Sequence, residues 1–265
     1  MNLREIRQAL LSRGLRPLER FGQNFLHDEN VCRLIADVII ESLQKQPFGR
    51  VLEVGPGLGA LTEHLLSRGV EVHAVEIDLG LSRYLQDRFV ECRNFHLVQA
   101  DILEYLPRAM EQSWAAIVGN LPYNISTPIL FSVLRAAELP RTLVFMVQEE
   151  LADRIRARPG TPNYGAPSVI LQRAYRIEFV RRVPCQLFYP RPKVHSAVLR
   201  FERIREQARD PEFEWFQAVV RRAFQYRRKQ LRTIFACDLD CRAEELAPDE
   251  WWEFAQSLPR GGDMG

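Results

Sequence analysis

Between residues 50 and 148 the chain switches its apolar period again and again. Short apolar runs ("RVLEV", "VEVHAVE", "FHLVQA", "AAIVG", "TLVFMVQ") alternate with helix-like stretches ("ALTEHLLSRG", "LGLSRYLQDRF", "TPILFSVLRAA"). Apolar runs this short read as strands buried on both faces, and strand followed by helix followed by strand is a βαβ unit. The pattern therefore predicts an α/β fold: a Rossmann-like parallel sheet with helices on both faces. Ahead of it, "REIRQALLSRG" reads as a short basic helix. "DENVCRLIADVIIESLQK" reads as an amphipathic helix opened by Asp28 as N-cap. Behind it, "RIEFVRRV" and "HSAVLRFERI" alternate with little helix between them, which predicts an antiparallel pair at the sheet edge. From about residue 206 the pattern turns helical. The expected organisation is a large domain over 1–205 and a small helical domain over 206–265, with "RARPGTPNYGAP", 156–167, as a mobile loop.

Bulk properties exclude little. No run approaches the roughly 18 apolar residues of a membrane span, and "MNLREIRQALLSRGLRP" is too charged for a secretory leader. Both point to the cytoplasm. The five cysteines (Cys32, Cys92, Cys185, Cys237, Cys241) are scattered, and reduced thiols are expected there. Cys237 and Cys241 could share a helix face, but no neighbouring ligand completes a zinc site, so no metal is expected. Net charge is more telling in its distribution than in its total of +2. It is −3 over residues 1–140, +11 over 141–235 and −6 over 236–265. A basic middle on a near-neutral chain points to a polyanion. Its densest part, "RRAFQYRRKQLR" at 221–232, interleaves Phe224 and Tyr226 with Arg221, Arg222, Arg227, Arg228 and Lys229. Rings that stack and cations that meet phosphates are what a nucleic-acid surface needs; a solvated helix face is the plainer alternative.

The loop "VLEVGPGLGALT" sets Gly55, Gly57 and Gly59 between a strand and a helix. Glycines let the backbone approach a ligand, and the helix start offers unpaired N–H groups. Gly55, Gly57 and Ala60 also spell a dinucleotide fingerprint, so the loop alone does not separate a nicotinamide dinucleotide from an adenosyl sulfonium. The following strand ends narrow it. Glu76 ends the second strand, where an acid holds ribose hydroxyls, Asp101 ends the third, where a carboxylate accepts from an adenine amine, and Asn120 ends the fourth. Asn120 opens "NLPY". Pro122 cannot continue a strand and stiffens the turn, which sets two acceptors, the Asn120 side chain and the Leu121 carbonyl, beside the ring of Tyr123. An adenine amine is a poor nucleophile because its lone pair is delocalised into the ring. Acceptors that take its hydrogens favour a pyramidal nitrogen, and a stacking ring holds a base taken out of its stack. A hydride-transfer enzyme would want a proton-transfer residue by its substrate; His27 and His195 are not so placed.

The stretches "RFGQNFLHDENV", "VLEVGPGLGALTEHLL", "AVEID", "QADIL", "VGNLPYNISTPIL", "MVQEELADRI", "NYGAPSV", "FYPRPKVHSAV" and "AFQYRRKQLRT" span most of residues 20–233. In them the chain closely resembles the ribosomal RNA small-subunit adenine N(6)-dimethyltransferases, the kasugamycin-sensitivity methyltransferase family. The resemblance implies a class I methyltransferase fold and S-adenosyl-L-methionine as cofactor. Asn24 and Leu26 would close over it, the loop of Gly55 and Gly57 would approach its methionine end, Glu76 would take the ribose and Asp101 the adenine. Asn120, Leu121, Pro122 and Tyr123 would clamp the target base, with Phe188 as a second aromatic against it. It further implies a monomer that dimethylates two adjacent adenosines in a hairpin loop near the 3′ end of small-subunit ribosomal RNA, on an assembling subunit. Two alternatives remain: the large-subunit branch that confers macrolide resistance, and a non-catalytic assembly factor on the same fold. The acidic tail, 236–265, matches no motif; its charge could pack on the basic segment or be solvated.

Overall fold

A computed structural model describes residues 1–44, 49–136, 138–205 and 211–260. Lys45, at the end of the expected second helix, residues 206–210 at the expected domain boundary and the tail beyond 260 lie outside the described residues. The strands are β1 (Phe25–Leu26), β2 (Arg50–Val54), β3 (Glu71–Glu76), β4 (Phe95–Gln99), β5 (Ala116–Asn120), β6 (Thr142–Gln148), β7 (Tyr175–Val183), β8 (Phe188–Tyr189) and β9 (Ser196–Arg203). The helices are α1 (Leu3–Ser12), α2 (Glu29–Leu43), α3 (Ala60–Leu66), α4 (Leu79–Arg88), α5 (Ile102–Ala109), α6 (Ser126–Val133), α7 (Glu149–Arg156), α8 (Ala166–Ala174), α9 (Pro211–Gln225), α10 (Leu231–Phe235) and α11 (Pro248–Ser257).

The chain divides into two compact units, Met1–Glu149 with Glu178–Arg203, and Glu150–Ile177 with Ile204–Gly265. The sequence expectation placed a boundary at 205; here residues 150–177 group with the C-terminal segment. Long-range hydrogen bonds inside the second unit give the reason. Tyr164 Oη donates to the Leu246 carbonyl at 2.7 Å, and Gly160 N to the Glu244 carbonyl at 2.7 Å. The same bonds tie down the 156–167 segment, whose Tyr164 is fully buried, so it is an anchored turn rather than the free loop its composition predicts.

In the first unit the strand order is β4-β3-β2-β5-β6-β9-β7. Strands β4, β3, β2, β5 and β6 run parallel and β9 pairs antiparallel with β6. From β2 the chain builds outward to β3 and β4; from β5 it builds the other way. The order reverses between β2 and β5, and the carboxyl ends of that pair are where such a sheet opens a crevice. Gly119 stands on this seam. A Cβ there would lie 2.6 Å from the Val54 carbonyl oxygen, so only glycine fits. Helix α2 is capped by Asp28, which accepts from Val31 N at 2.9 Å. It buries Val31, Cys32, Ile35, Ala36 and Ile39, one face at helical spacing, in the core that also holds Val51, Val72, Ala116 and Val144. Each valine or isoleucine among them contributes about 1.5–3 kcal/mol on burial.

The second unit packs α8, α9 and α11 against one another. Trp251 is fully buried, with its Nε1 donating to the Ala243 carbonyl at 3.2 Å, and Phe216 is fully buried beside Phe213. The basic run spans two helices: α9 ends at Gln225 and α10 begins at Leu231. After α10 the chain turns at Ala236 and folds back, with Leu231 N donating to the Cys241 carbonyl at 2.8 Å. Cys237 and Cys241 therefore lie in this return and share no helix face; all five cysteines are unbridged. Among the described residues no helix is long and apolar enough to cross a membrane.

Candidate active site

At the carboxyl ends of β2, β3 and β5 lies a cavity of about 310 Å³. Its wall brings together Asn24, Leu26, Gly55, Gly57, Glu76, Asp101, Asn120, Leu121, Pro122 and Tyr123, residues spread over a hundred positions of sequence.

The glycine loop gives room. Gly55 has φ +64° and a Cβ on it would meet nothing within 4 Å, so the missing side chain leaves open space on the cavity wall. Gly57 has φ +60°, and a Cβ there would stand 3.1 Å from the Phe25 ring. Glu76, 5% exposed, is fixed by two backbone donors: Gly57 N to Oε2 at 3.2 Å and Asp78 N to Oε1 at 3.0 Å. Each carboxylate oxygen keeps a second acceptor site. Burial outweighs those bonds and pushes the Glu76 carboxyl up to about 7. Asp101 sits just past the end of β4 and caps α5, with Oδ1 accepting from Leu103 N at 2.8 Å.

Two acidic residues that no strand-end rule singled out support this region: Glu53 lines the cavity, and Asp78 lies two residues past Glu76. Glu53 lies within β2, 2% exposed, with Oε2 accepting from Thr62 Oγ1 at 2.8 Å. Burial pushes its carboxyl up to about 7, with the charge of Glu76 adding to the effect. Its signal was present: an acid inside an apolar run must have a partner. Asp78 caps α4 through Gly80 N and Leu81 N and accepts from Gln23 Nε2 at 3.1 Å. Gln23 in turn accepts from Leu18 N at 2.8 Å, which ties the 18–26 segment to the strand ends.

The "NLPY" turn stands at the end of β5. Asn120 Nδ2 donates to the Asn24 carbonyl at 2.9 Å. A carbonyl accepts only from the nitrogen of the amide, so the Asn120 oxygen is the atom left at the cavity. Leu121 N donates to the Met146 carbonyl at 3.0 Å, and the Pro122 carbonyl accepts from Ile125 N and Ser126 Oγ. Tyr123 is half-buried, its hydroxyl 2.8 Å from Ser196 Oγ on β9. Burial raises its phenol above the ordinary value, so it is neutral at neutral pH.

Phe188 does not join them. It is 3% exposed, pairs with Leu26 across the β1–β8 ladder and packs in the core with Val183 and Val198. It stands beside Leu26 in that ladder and does not line the cavity. In the second unit the expected RNA residues separate. Arg221, Arg228 and Lys229 are exposed. Arg221 donates to Gln217 Oε1 at 2.9 Å, and the Lys229 ammonium lies 5.1 Å from the Tyr226 ring centre. Arg222 and Arg227 are half-buried. Arg227 Nε pairs with Glu244 at 2.6 Å, and Arg232 pairs with Asp240 at 2.7 Å, so acids of the tail answer part of the basic charge.

Comparison with known proteins gives a consistent result. The family described as ribosomal RNA adenine dimethylase matches residues 16–247. The chain is 44% identical to a ribosomal RNA small subunit methyltransferase A from Syntrophotalea carbinolica, over 92% of this chain and 97% of that one. It is 39% identical to a protein of the same name from Synechococcus sp., over 92% and 95%. A dimethyladenosine transferase from Plasmodium falciparum shares the fold, with TM-score 0.71 at 21% identity over 82% and 92% of the two chains. The 23S rRNA methyltransferase ErmE aligns with TM-score 0.64 at 27% identity, over 88% and 99%. The match over nearly the whole chain, on a sheet whose strand ends converge on one cavity, means that this chain belongs to the ribosomal RNA adenine dimethylase family.

Proposed function

We propose that the chain dimethylates the exocyclic amines of two adjacent adenosines in the 3′-terminal hairpin loop of small-subunit ribosomal RNA, with S-adenosyl-L-methionine as methyl donor. The observation that carries this reading is the Asn120 amide, whose nitrogen is held by the Asn24 carbonyl so that its oxygen faces the cavity beside Tyr123. The likeness to small subunit methyltransferases over more than nine-tenths of both chains favours the small-subunit substrate over the large-subunit alternative.

The residues present fit the cofactor. The open space at Gly55 admits a ligand against the backbone, and Glu76 and Asp101 each keep acceptor capacity beyond their internal bonds. Glu76 would hold the ribose, Asp101 the adenine amine, the Gly55–Gly57 loop the methionine end, and Asn24 and Leu26 the near wall. When bound, the cofactor supplies an electrophilic methyl on a sulfonium. The chain's own residues prepare the other reactant. Asn120 Oδ1 and the Leu121 carbonyl accept the two amine hydrogens, which draws the nitrogen lone pair out of ring conjugation. Tyr123 stacks on the extruded base, and its bond to Ser196 fixes the plane of that stack. A strong base is not needed, because the amine proton becomes acidic once the fourth bond to nitrogen forms. Phosphates would be met by Arg221, Arg222, Arg228 and Lys229, with Arg227 shared with Glu244. The protein would act as a monomer in the cytoplasm, on an assembling subunit.

Purified protein and labelled cofactor are offered unmethylated small subunits or naked large-subunit RNA, and the modified bases are mapped by mass spectrometry. Dimethyladenosine at two adjacent 3′-terminal positions of the small subunit is the expected product. Methylation only of the large-subunit RNA would overturn the reading.

A further inference from the structure

The opposite end of the sheet carries a second constellation. Glu71 opens β3 and His73 lies two residues on, so both project from the same face of the strand. His96 of β4 is the direct cross-strand partner of His73. The two imidazoles stack at 4.5 Å between ring centres. Glu71 Oε1 lies 2.7 Å from His73 Nε2 and 3.8 Å from His96 Nε2. The donor atoms of all three residues fall within 4.8 Å of one another. Among the described residues this is the one such group of histidine, cysteine and acid side chains.

We propose that Glu71, His73 and His96 form a binding site for a zinc-type divalent transition metal ion. Two imidazole nitrogens and one carboxylate oxygen are the three-ligand set that zinc accepts with a fourth position left to water. Hard cations such as magnesium would not favour the imidazoles. Metal–ligand bonds of about 2.0–2.2 Å at tetrahedral angles put ligand atoms roughly 3.3–3.6 Å apart. The two distances from Glu71 bracket that spacing, and rotation of the half-exposed Glu71 and His96 side chains brings the set to it. Trp114 packs edge-on against His73 at 5.3 Å between ring centres and limits its rotation, a preorganising contact.

Charge is favourable on balance. Glu71 supplies an acidic side chain to the two imidazoles. Arg50 is the opposing cation, but its guanidinium is engaged elsewhere, over the Trp114 ring and with the Gln112 side chain and the Ser113 carbonyl. Metal binding would take the place of the Glu71–His73 hydrogen bond. The site lies about five strand residues, roughly 16 Å, from Glu76, so the ion would pin edge strand β4 to β3 and take no part in the cavity.

The test is calorimetric titration of the purified full-length chain with Zn²⁺, alongside the His96→Gln and His73→Ala/His96→Ala variants. Wild type should bind one equivalent that the double variant loses. His96→Gln should weaken association at least tenfold, while its metal-free thermal midpoint stays at the wild-type value because His96 is half exposed. Cobalt(II) should give tetrahedral visible absorption in wild type alone, and Zn²⁺ should raise the thermal midpoint of wild type alone. An isotherm unchanged in both variants would put the bound metal elsewhere, on the free thiols for example, and overturn the proposal. Absence of wild-type binding would leave Glu71 and His73 as a plain hydrogen-bonded pair and overturn it equally.

Discussion

Asn120 and Arg227 are both polar side chains held by the protein itself, yet the holding bond does opposite things. Asn120 has two ends. Its nitrogen is taken by the Asn24 carbonyl, and the oxygen is left aimed at the cavity. Arg227 offers one charge, and Glu244 takes it at 2.6 Å. In the first region the internal bond leaves an acceptor at the cavity; in the second it answers a charge. A site is built where the anchoring bond and the working atom are different atoms of the same group.

The largest effects should come from breaking the first region. Asn120→Ala removes the oriented acceptor and Tyr123→Ala the stacking face, and each should lower the methyl-transfer rate by about 10²–10³. RNA binding in filter assays should stay at the wild-type level. A loss of binding that matches the loss of rate would break the comparison, because the turn would then be part of the affinity surface.

The next effect concerns stability and pH. Glu53 and Glu76 titrate at about 7 in the folded chain against 4.5 for the free side chain. A raised carboxyl binds its proton more tightly when folded. Its contribution is present below pH 4.5 and is lost as pH rises to about 7. Each group is worth on the order of 3 kcal/mol across that window. Glu53→Gln keeps an acceptor for Thr62 and cannot ionise. Urea unfolding of ligand-free protein should show wild type losing stability between pH 5 and pH 7.5, and the variant losing less. Equal losses would mean that Glu53 is not the group responsible.

Glu76→Ala should weaken cofactor binding by about 1.5–3 kcal/mol, the range for a hydrogen bond to a charged group. Calorimetry reads this directly, and unchanged affinity would remove Glu76 from the ribose.

The smallest effects belong to the basic run. Arg227→Ala should cost about 0.2–1 kcal/mol of stability, as partly exposed ion pairs do, and leave the salt dependence of RNA binding nearly unchanged. Joint neutralisation of Arg221, Arg228 and Lys229 should flatten the slope of log affinity against log salt by about one unit for every phosphate that is no longer neutralised. If Arg227→Ala alone flattens it as much, Glu244 does not consume that charge and the contrast with Asn120 fails.

The contrast also explains what the sequence made legible. Strand β6 falls on the apolar run "TLVFMVQ", and the carboxyl ends of β3 and β5 fall on Glu76 and Asn120. Parallel strands put all their carboxyl ends on one edge of the sheet, so local pattern suffices to name most of the cavity wall. Contacts between distant segments are not written that way. Glycines and prolines at 156–167 describe a turn, and nothing in them announces Leu246 as the acceptor for Tyr164. The aromatic at 188 is equally compatible with a wall and with a core, and the β1–β8 ladder decides for the core. Arginines at 221–232 report charge, while whether an acid from the tail meets it depends on the return after α10.

The close approach of Gly57 and Phe25 has a consequence for genetics. Position 57 carries two constraints at once: a left-handed backbone at φ +60° and a ring 3.1 Å from where a Cβ would sit. Suppressors divide them. Trimming Phe25 to leucine should partly rescue Gly57→Ala, since it clears the ring and leaves only the backbone cost. It should do nothing for Gly55→Ala, where no side chain stands in the way. Two glycines that share a left-handed backbone would thus fall into different suppressor classes, one relieved through the amino-terminal segment and one not.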